Sequence, residues 1–206
     1  RGVVAIDMRS GAIRAFLGRA VILATGGAGK CFPFTTNGTI KTGDGMSLAY
    51  RAGVALKDME FLQYHPTGLP GTGILITEAS RGEGGYVLNS EGERFLVTRD
   101  YGVGQKAELG PRDMISRAEI LEILNRLDSL PYNNLQSIGF DIFAEPLEVL
   151  PATHFTLGGV RINPACETSL PGLFAAGEVA GNLHGANRTS GNALAETQVF
   201  GQRAGQ

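Results

Sequence analysis

AVILATGGAG, residues 20–29, carries the reading of the fold. Ala20-Val21-Ile22-Leu23-Ala24 is an unbroken apolar run, which suits a short strand buried on both faces of a sheet. It runs into Thr25-Gly26-Gly27-Ala28-Gly29. A buried strand that ends in a glycine-rich loop is where open α/β sheets place their ligands. The loop is not a P-loop, because Ala24 stands where the first glycine would be and Cys31 follows Lys30. No G-x-G-x-x-G dinucleotide fingerprint occurs in the 206 residues either.

Upstream of this loop, Val3–Met8 and Ala12–Leu17 read as two strands joined by an Arg9-Ser10-Gly11 turn. Downstream, Thr35-Thr36-Asn37-Gly38 reads as a turn. Thr42-Gly43-Asp44-Gly45 then leads into a short helix, Met46–Ala52, stopped at Gly53. The last third of the chain repeats this texture. Phe155–Ile162 suggests strands around Gly158-Gly159, and Gly172–Glu178 is a second short buried strand that ends at a glycine and an acid. Gly185-Ala186-Asn187-Arg188 precedes a Gly/Asn turn and a terminal helix, Asn192 to Ala204. The middle differs. Phe61–Leu69 is an apolar stretch broken by His65-Pro66, and Tyr86–Leu88 and Arg94–Val97 read as short strands. Met114–Leu127 is the clearest helix, with Ile115, Ala118, Leu121 and Leu124 three residues apart and Asp113 as its cap. Ser129–Gly139 reads as loop.

Composition narrows the function. The chain has 30 glycines but only 9 prolines, about twice the usual glycine share with no collagen period. Glycine at this level lets backbone approach something closely. The formal charge of −2 argues against general nucleic-acid binding, which needs a basic excess. No apolar run reaches the length of a membrane span and no signal peptide is visible. Cys31 and Cys166 sit in no metal spacing, so they read as small inert residues of a reducing compartment. The three histidines form no H-E-x-x-H, and no G-x-S-x-G nucleophile elbow occurs.

Six stretches then occur in fixed order: EFLQYHPT (Glu60–Thr67), TEASRGEGG (Thr77–Gly85), LGPRD (Leu109–Asp113), THFTLGG (Thr153–Gly159), GEV (Gly177–Val179) and HGANRTSGNALAE (His184–Glu196). Through them the chain resembles, over its whole length, the FAD-containing flavoprotein subunit of the fumarate reductase and succinate dehydrogenase family, to which L-aspartate oxidase also belongs. The resemblance implies an α/β fold with an inserted α+β cap. A partial Rossmann-like FAD-binding domain would cover residues 1–57 and 152–206, and a shortened capping domain residues 58–151. Family members begin with a strand and a G-x-G-x-x-G loop upstream of these residues, continue into a helical domain, and have a longer cap between Leu127 and Ala144. The chain is therefore read as a fragment.

The resemblance also implies a site. Fumarate and succinate are dianions, and carboxylate binding wants arginine and histidine. Arg188 and His154 would hold one carboxylate, and His65 and Thr77 the other. Arg112 matches the proton donor, with Glu78 and Arg81 as its relay. A guanidinium titrates above about 12, so it can release a proton only to the strongly basic carbon that hydride arrival creates. FAD is the implied cofactor, approached by Gly26 and Gly27 and bound by Asp44 and Glu178 through its hydroxyls. Ala193 and Leu194, at the start of the last helix, would face the flavin with free N–H groups. Blander readings stand beside these: His65 as a loop histidine before proline, His154 and His184 as structural, Asp44 as a helix cap, and Glu78–Arg81 as a surface ion pair. The implied partners are a dicarboxylate substrate, an iron–sulfur subunit and membrane anchor subunits. They imply a cytoplasmic location, peripheral to the membrane. L-aspartate oxidase and a non-catalytic piece of such a flavoprotein are the alternatives.

Overall fold

The computed structural model describes residues 1–126, 132–133 and 147–206. The expected Ser129–Gly139 loop, the last residue of the expected Met114–Leu127 helix and the Leu127–Ala144 shortening fall wholly or mainly outside them. In chain order the elements are β1 (Gly2–Ile6), β2 (Ile13–Leu17), β3 (Val21–Leu23), α1 (Asp44–Arg51), β4 (Leu56–Lys57), β5 (Leu62–Gly68), α2 (Glu78–Gly82), β6 (Val87–Leu88), α3 (Phe95–Thr98), α4 (Arg112–Arg126), β7 (Tyr132–Asn133), β8 (Leu147–Glu148), β9 (Leu150–Thr156), β10 (Gly159–Val160), β11 (Leu173–Ala175) and α5 (Asn192–Gly205). They divide into two compact units. One comprises Arg1–Cys31, Ile40–Leu62 and Phe155–Gln206, the other Phe32–Thr39 and Gln63–His154.

In the first unit, β3 and β11 pair in parallel, Val21 with Leu173 and Leu23 with Ala175. A parallel pair needs a long crossover connection, and here almost the whole chain lies between the two strands. The Ala176 N–H donates to the Leu23 carbonyl at 3.0 Å, so both strands end at the same level. That brings the Gly26-Gly27 loop alongside Gly177-Glu178. α1 places Met46 and Ala49, three residues apart, on a core with Val54, Val160, Ala175 and Val179. Gly53 ends it as expected, at φ +85°, with its N–H donating to the Tyr50 carbonyl. The strand at residues 20–24 forms, but it is not buried on both faces: Ile22 is 47% exposed. β1 and β2 form an antiparallel hairpin.

In the second unit, β5 pairs with β9, and β6, β7 and β8 form a second small sheet. Its main core holds Val87, Phe95, Leu96, Val103, Ala107, Ile115 and Ala118. Two expectations are corrected here. Arg94–Val97 is not a strand: the Val97 N–H donates to the Arg94 carbonyl at 2.9 Å and Arg99 N–H to Phe95 at 3.0 Å, making the single turn α3. Phe95 and Leu96 are both buried, which a turn allows and a strand's alternation opposes. The long helix exists but begins at Arg112, so Asp113 lies in its first turn rather than capping it. Its apolar face also drifts. A three-residue spacing precesses by about 60° per step against a 3.6-residue turn, so Leu124 ends 65% exposed. The positions that continue the Ile115 and Ala118 face are Glu119 and Glu122, 0% and 2% exposed.

Candidate functional site

The second unit carries two groups of expected site residues. The first is a histidine pair. His65, on β5, is completely buried. The Thr67 N–H donates to its Nδ1 at 3.3 Å, and the Thr67 hydroxyl donates to the Ile76 carbonyl at 2.7 Å. Nδ1 is thus the acceptor, and the neutral ring carries its hydrogen on Nε2. The His154 ring, on β9, lies 5.2 Å from that of His65, inclined by 60°. Thr36 Oγ1 lies 2.7 Å from His154 Nδ1, and Asn37 Nδ2 donates to the His154 carbonyl at 2.7 Å. The Thr36 N–H donates to the Thr153 carbonyl at 3.0 Å and the Thr153 N–H to that of Phe34 at 3.1 Å. The segment read as a simple turn, Thr35–Gly38, therefore runs along β9 and fixes the ring of His154. Sequence reasoning missed that role for Thr36 and Asn37; a hydroxyl followed by an amide in a glycine turn was the available signal.

The second group is a cluster of charges around Glu78. Arg112, the first residue of α4, donates from Nε to Glu78 Oε2 at 2.9 Å, and its Nη2 lies 2.9 Å from the same oxygen. Its Nη1 donates to Gln63 Oε1 at 3.3 Å, a partner the sequence did not announce. Arg81 Nη2 stands 3.9 Å from Glu78 Oε2. Glu78 is partly exposed while the Arg81 side chain is 1% exposed, so the pair is not a surface ion pair. Burial pulls the Arg81 guanidinium below its ordinary range, and Glu78 and Glu119 oppose that shift. Thr77 caps α2, accepting the Ala79 N–H at 3.3 Å.

Behind Arg81 lie two carboxyls with opposite behaviour. Glu108 forms a two-point pair with Arg94, Nε to Oε1 at 2.8 Å and Nη2 to Oε2 at 2.7 Å. Burial raises the Glu108 carboxyl, but the Arg94 bonds and the Val87 N–H outweigh it and hold the group below its ordinary range. Burial instead drives Glu119 well above the usual carboxylate range, against a weaker pull from Arg81. Neither Glu119 oxygen has a hydrogen-bond partner among the described residues.

The first unit carries the expected cofactor residues. Gly26 adopts φ +78°. Gly27 is buried against Glu178, and a Cβ there would stand 2.6 Å from the Glu178 carboxyl carbon and 2.8 Å from Thr156 Oγ1. Its missing side chain thus serves contact with the protein itself. Glu178 Oε1 accepts the Thr156 N–H at 3.0 Å, and Lys41 Nζ donates to Oε2 at 2.7 Å. Thr156 Oγ1 in turn accepts the Ala28 N–H at 2.9 Å. Glu178 therefore fastens the glycine loop. The Gly43 N–H donates to the Gly27 carbonyl at 3.2 Å, which ties the start of α1 to the same loop. Asp44 is the first residue of α1 and its cap is Gly43, so Asp44 is not the cap. Its exposed carboxylate accepts the Thr42 hydroxyl at 2.8 Å. α5 starts at Asn192 behind Gly191, with no side-chain cap among the described residues. The expected free N–H of Leu194 is instead taken, donating to the Gly191 carbonyl at 3.2 Å as the chain turns into the helix. That leaves the Ala193 N–H as the first-turn donor of the expected pair for another acceptor.

Arg188 is 6% exposed, and its guanidinium carbon lies 4.4 Å from the centre of the Phe155 ring. His184 pairs with Glu196 at 2.7 Å. An apolar cleft of about 540 Å³, lined by Val3, Val21, Leu23, Leu48 and Leu173 among others, also lies in this unit and includes none of these groups.

The FAD binding domain family matches residues 1–136 and 122–194. The chain belongs to that family, and its cofactor is FAD. It is 47% identical over 240 residues to the fumarate reductase flavoprotein subunit of Mycobacterium tuberculosis, covering all of this chain and 41% of that relative. A solved structure of E. coli quinol fumarate reductase FrdA superposes with a TM-score of 0.91 at 41% identity, over 100% of this chain and 41% of that one. Mycobacterium smegmatis Sdh1 superposes with a TM-score of 0.73 at 38% identity, over 99% of this chain and 38% of that one. The chain thus spans about two fifths of the length of these relatives.

The residues present fit FAD. The uncapped start of α5 suits the electron-rich edge of a flavin, and the exposed Asp44 carboxylate suits a sugar hydroxyl. Glu178 fits less directly, because both its oxygens are engaged. Each keeps a second lone-pair site, but its evident task is to hold the loop.

Proposed function

We propose that this chain is the FAD-binding and capping part of a flavoprotein subunit that interconverts fumarate and succinate. Residues 1–57 and 152–206 belong to the FAD-binding domain in this reading, and residues 58–151 to the cap. The observation that supports it most is the Glu78 carboxylate, held by Arg112 at 2.9 Å and faced by buried Arg81 at 3.9 Å. A cation at a helix N-terminus is opposed by the helix dipole, and Glu78 and Gln63 supply the compensation that keeps Arg112 in place.

When bound, the cofactor would supply the redox chemistry, its reduced form giving a hydride to fumarate and its oxidised form accepting one from succinate. Arg112 gives the proton to the neighbouring carbon of fumarate, which becomes succinate. Glu78 and Arg81 then relay a proton from solvent back to Arg112, the Glu78 carboxylate taking it up and passing it on while Arg81 holds Glu78 oriented. In succinate oxidation the proton travels the same groups backwards. Thr77, His65 and His154 donate hydrogen bonds to substrate carboxylate, with Thr67 and Thr36 fixing the two imidazoles. Arg188 is a further carboxylate-binding cation. General acid assistance of this kind is worth about 10²–10⁴ in rate.

In this reading an iron–sulfur subunit with a membrane anchor delivers the electrons for fumarate reduction and takes them away in succinate oxidation, and it would hold the assembly at the cytoplasmic face of a membrane. The similarity to a quinol fumarate reductase supports this. Among the described residues no helix is long and apolar enough to cross a membrane.

The test compares substrates in the full-length, FAD-loaded protein. Fumarate reduction by a reduced dye is expected, without rapid oxidation of L-aspartate. Rapid aspartate oxidation with no fumarate reduction would overturn the reading in favour of L-aspartate oxidase.

A further inference from the structure

A guanidinium makes a two-point bond to a carboxylate only if its plane is held in the right orientation. Arg188 carries that plane on a long side chain, and Arg side chains have much rotamer freedom to lose. The surroundings of Arg188 show what restrains it. Phe155 is 7% exposed, and its ring centre lies 4.4 Å from the Arg188 guanidinium carbon. A cation over an aromatic face is attracted by the ring quadrupole, more strongly where water is excluded. Beside the ring contact, Arg188 Nη1 donates to the Thr189 carbonyl at 3.3 Å. A ring face has no polar atom, so it helps to fix the group without taking up an N–H donor itself.

The ring is itself held from two sides. Its backbone neighbour Thr156 donates its N–H to buried Glu178 at 3.0 Å. The His184 ring packs edge-on against Phe155, with centres 5.6 Å apart and planes inclined by 75°. His184 is fixed in turn by Glu196 of α5 at 2.7 Å, and Glu196 is 6% exposed. α5, Glu196, His184, Phe155 and Arg188 thus form one continuous support within the first unit.

We infer that Phe155 is a positioning residue for Arg188, its ring acting as the platform that presents the guanidinium to a dicarboxylate. The inference rests on the proposed role of Arg188 in binding substrate carboxylate. A group that acts only through Arg188 changes ground-state and transition-state binding alike, so its loss raises KM with little change in kcat.

The experiment uses the full-length, FAD-loaded flavoprotein and reads malonate binding from the flavin absorbance, alongside fumarate kinetics. Phe155→Leu keeps an apolar side chain but removes the ring face. It is expected to weaken malonate binding and raise the fumarate KM by about 3- to 30-fold, the range of a partly to fully desolvated cation–aromatic contact, with kcat within about twofold. Phe155→Tyr keeps the face and is expected to restore both values. Phe155→Met serves in the same role if Phe155→Leu loses its flavin. Arg188→Gln separates the two layers. If Arg188→Gln weakens binding and the Leu and Met variants bind malonate like wild type, the platform is wrong and the role of Arg188 stands. If Arg188→Gln itself binds normally, the reading beneath the inference falls. A Leu variant that loses kcat with KM unchanged also overturns the platform.

Discussion

Glu108 and Glu119 are buried carboxyls of the second unit, and pH should separate them. Glu108 has a folded-state pKa below its unfolded value, because the Arg94 bonds outweigh burial. Its contribution to stability is therefore present above the unfolded pKa and is lost as pH falls through the folded one. Glu119 is the reverse case: burial raises it, so the folded chain holds a proton that the unfolded chain has released. That costs stability as pH rises above the unfolded pKa, up to the folded one. Glu119→Gln, which mimics the neutral acid, is expected to stabilise the protein at pH 7 and to leave it unchanged near pH 4. Urea titrations at the two pH values check this, and an equal effect at both would contradict it. Gly27 offers a second test at this scale. The Cβ of Gly27→Ala would press on Glu178 and Thr156, and such overpacking costs about 1–3 kcal/mol, again read by urea titration. A neutral result would mean that the Glu178 fastening is slack.

The helices show what a sequence reading reaches at the scale of elements. α1, α5 and the body of α4 were legible because glycines mark their ends or apolar residues recur along them. α3 was not, since four residues with a β-branched member look the same as a strand until Phe95 and Leu96 are seen buried together. In α4 the apolar spacing held for Ile115 and Ala118, then turned away from the core. Two acids took the inner positions because partners were waiting for one of them: Asn89 Nδ2 donates to Glu122 Oε1 at 2.9 Å, and Arg99 Nε stands 3.4 Å from Oε2. Such partners come from distant segments and leave no local signal. The mutational consequence is unequal. Ile115→Ala, at a completely buried position, is expected to cost about 2–5 kcal/mol. Leu124→Ala, at an exposed one, is expected to change stability by less than about 0.5 kcal/mol. Thermal or urea unfolding of the two variants compares them directly.

For the whole molecule, the family was legible because its motifs carry chemistry that depends on residue identity. The resemblance named Arg112, Glu78 and Arg81, and the fold brings the three together in one unit. Thr36, Asn37 and Gln63 were not singled out, since they act by holding other residues, and pairs formed across long stretches of chain are invisible in a single sequence. Gly27 was legible as a close approach, but the group approached is the chain's own Glu178. The central claim is that Arg112 moves the proton. Replacing it by glutamine in the full-length, FAD-loaded flavoprotein, with fumarate turnover and malonate binding measured side by side, tests that claim most directly. Turnover is expected to fall by about 10²–10⁴ while malonate binding changes only severalfold. Wild-type turnover in the Arg112→Gln protein would contradict the account.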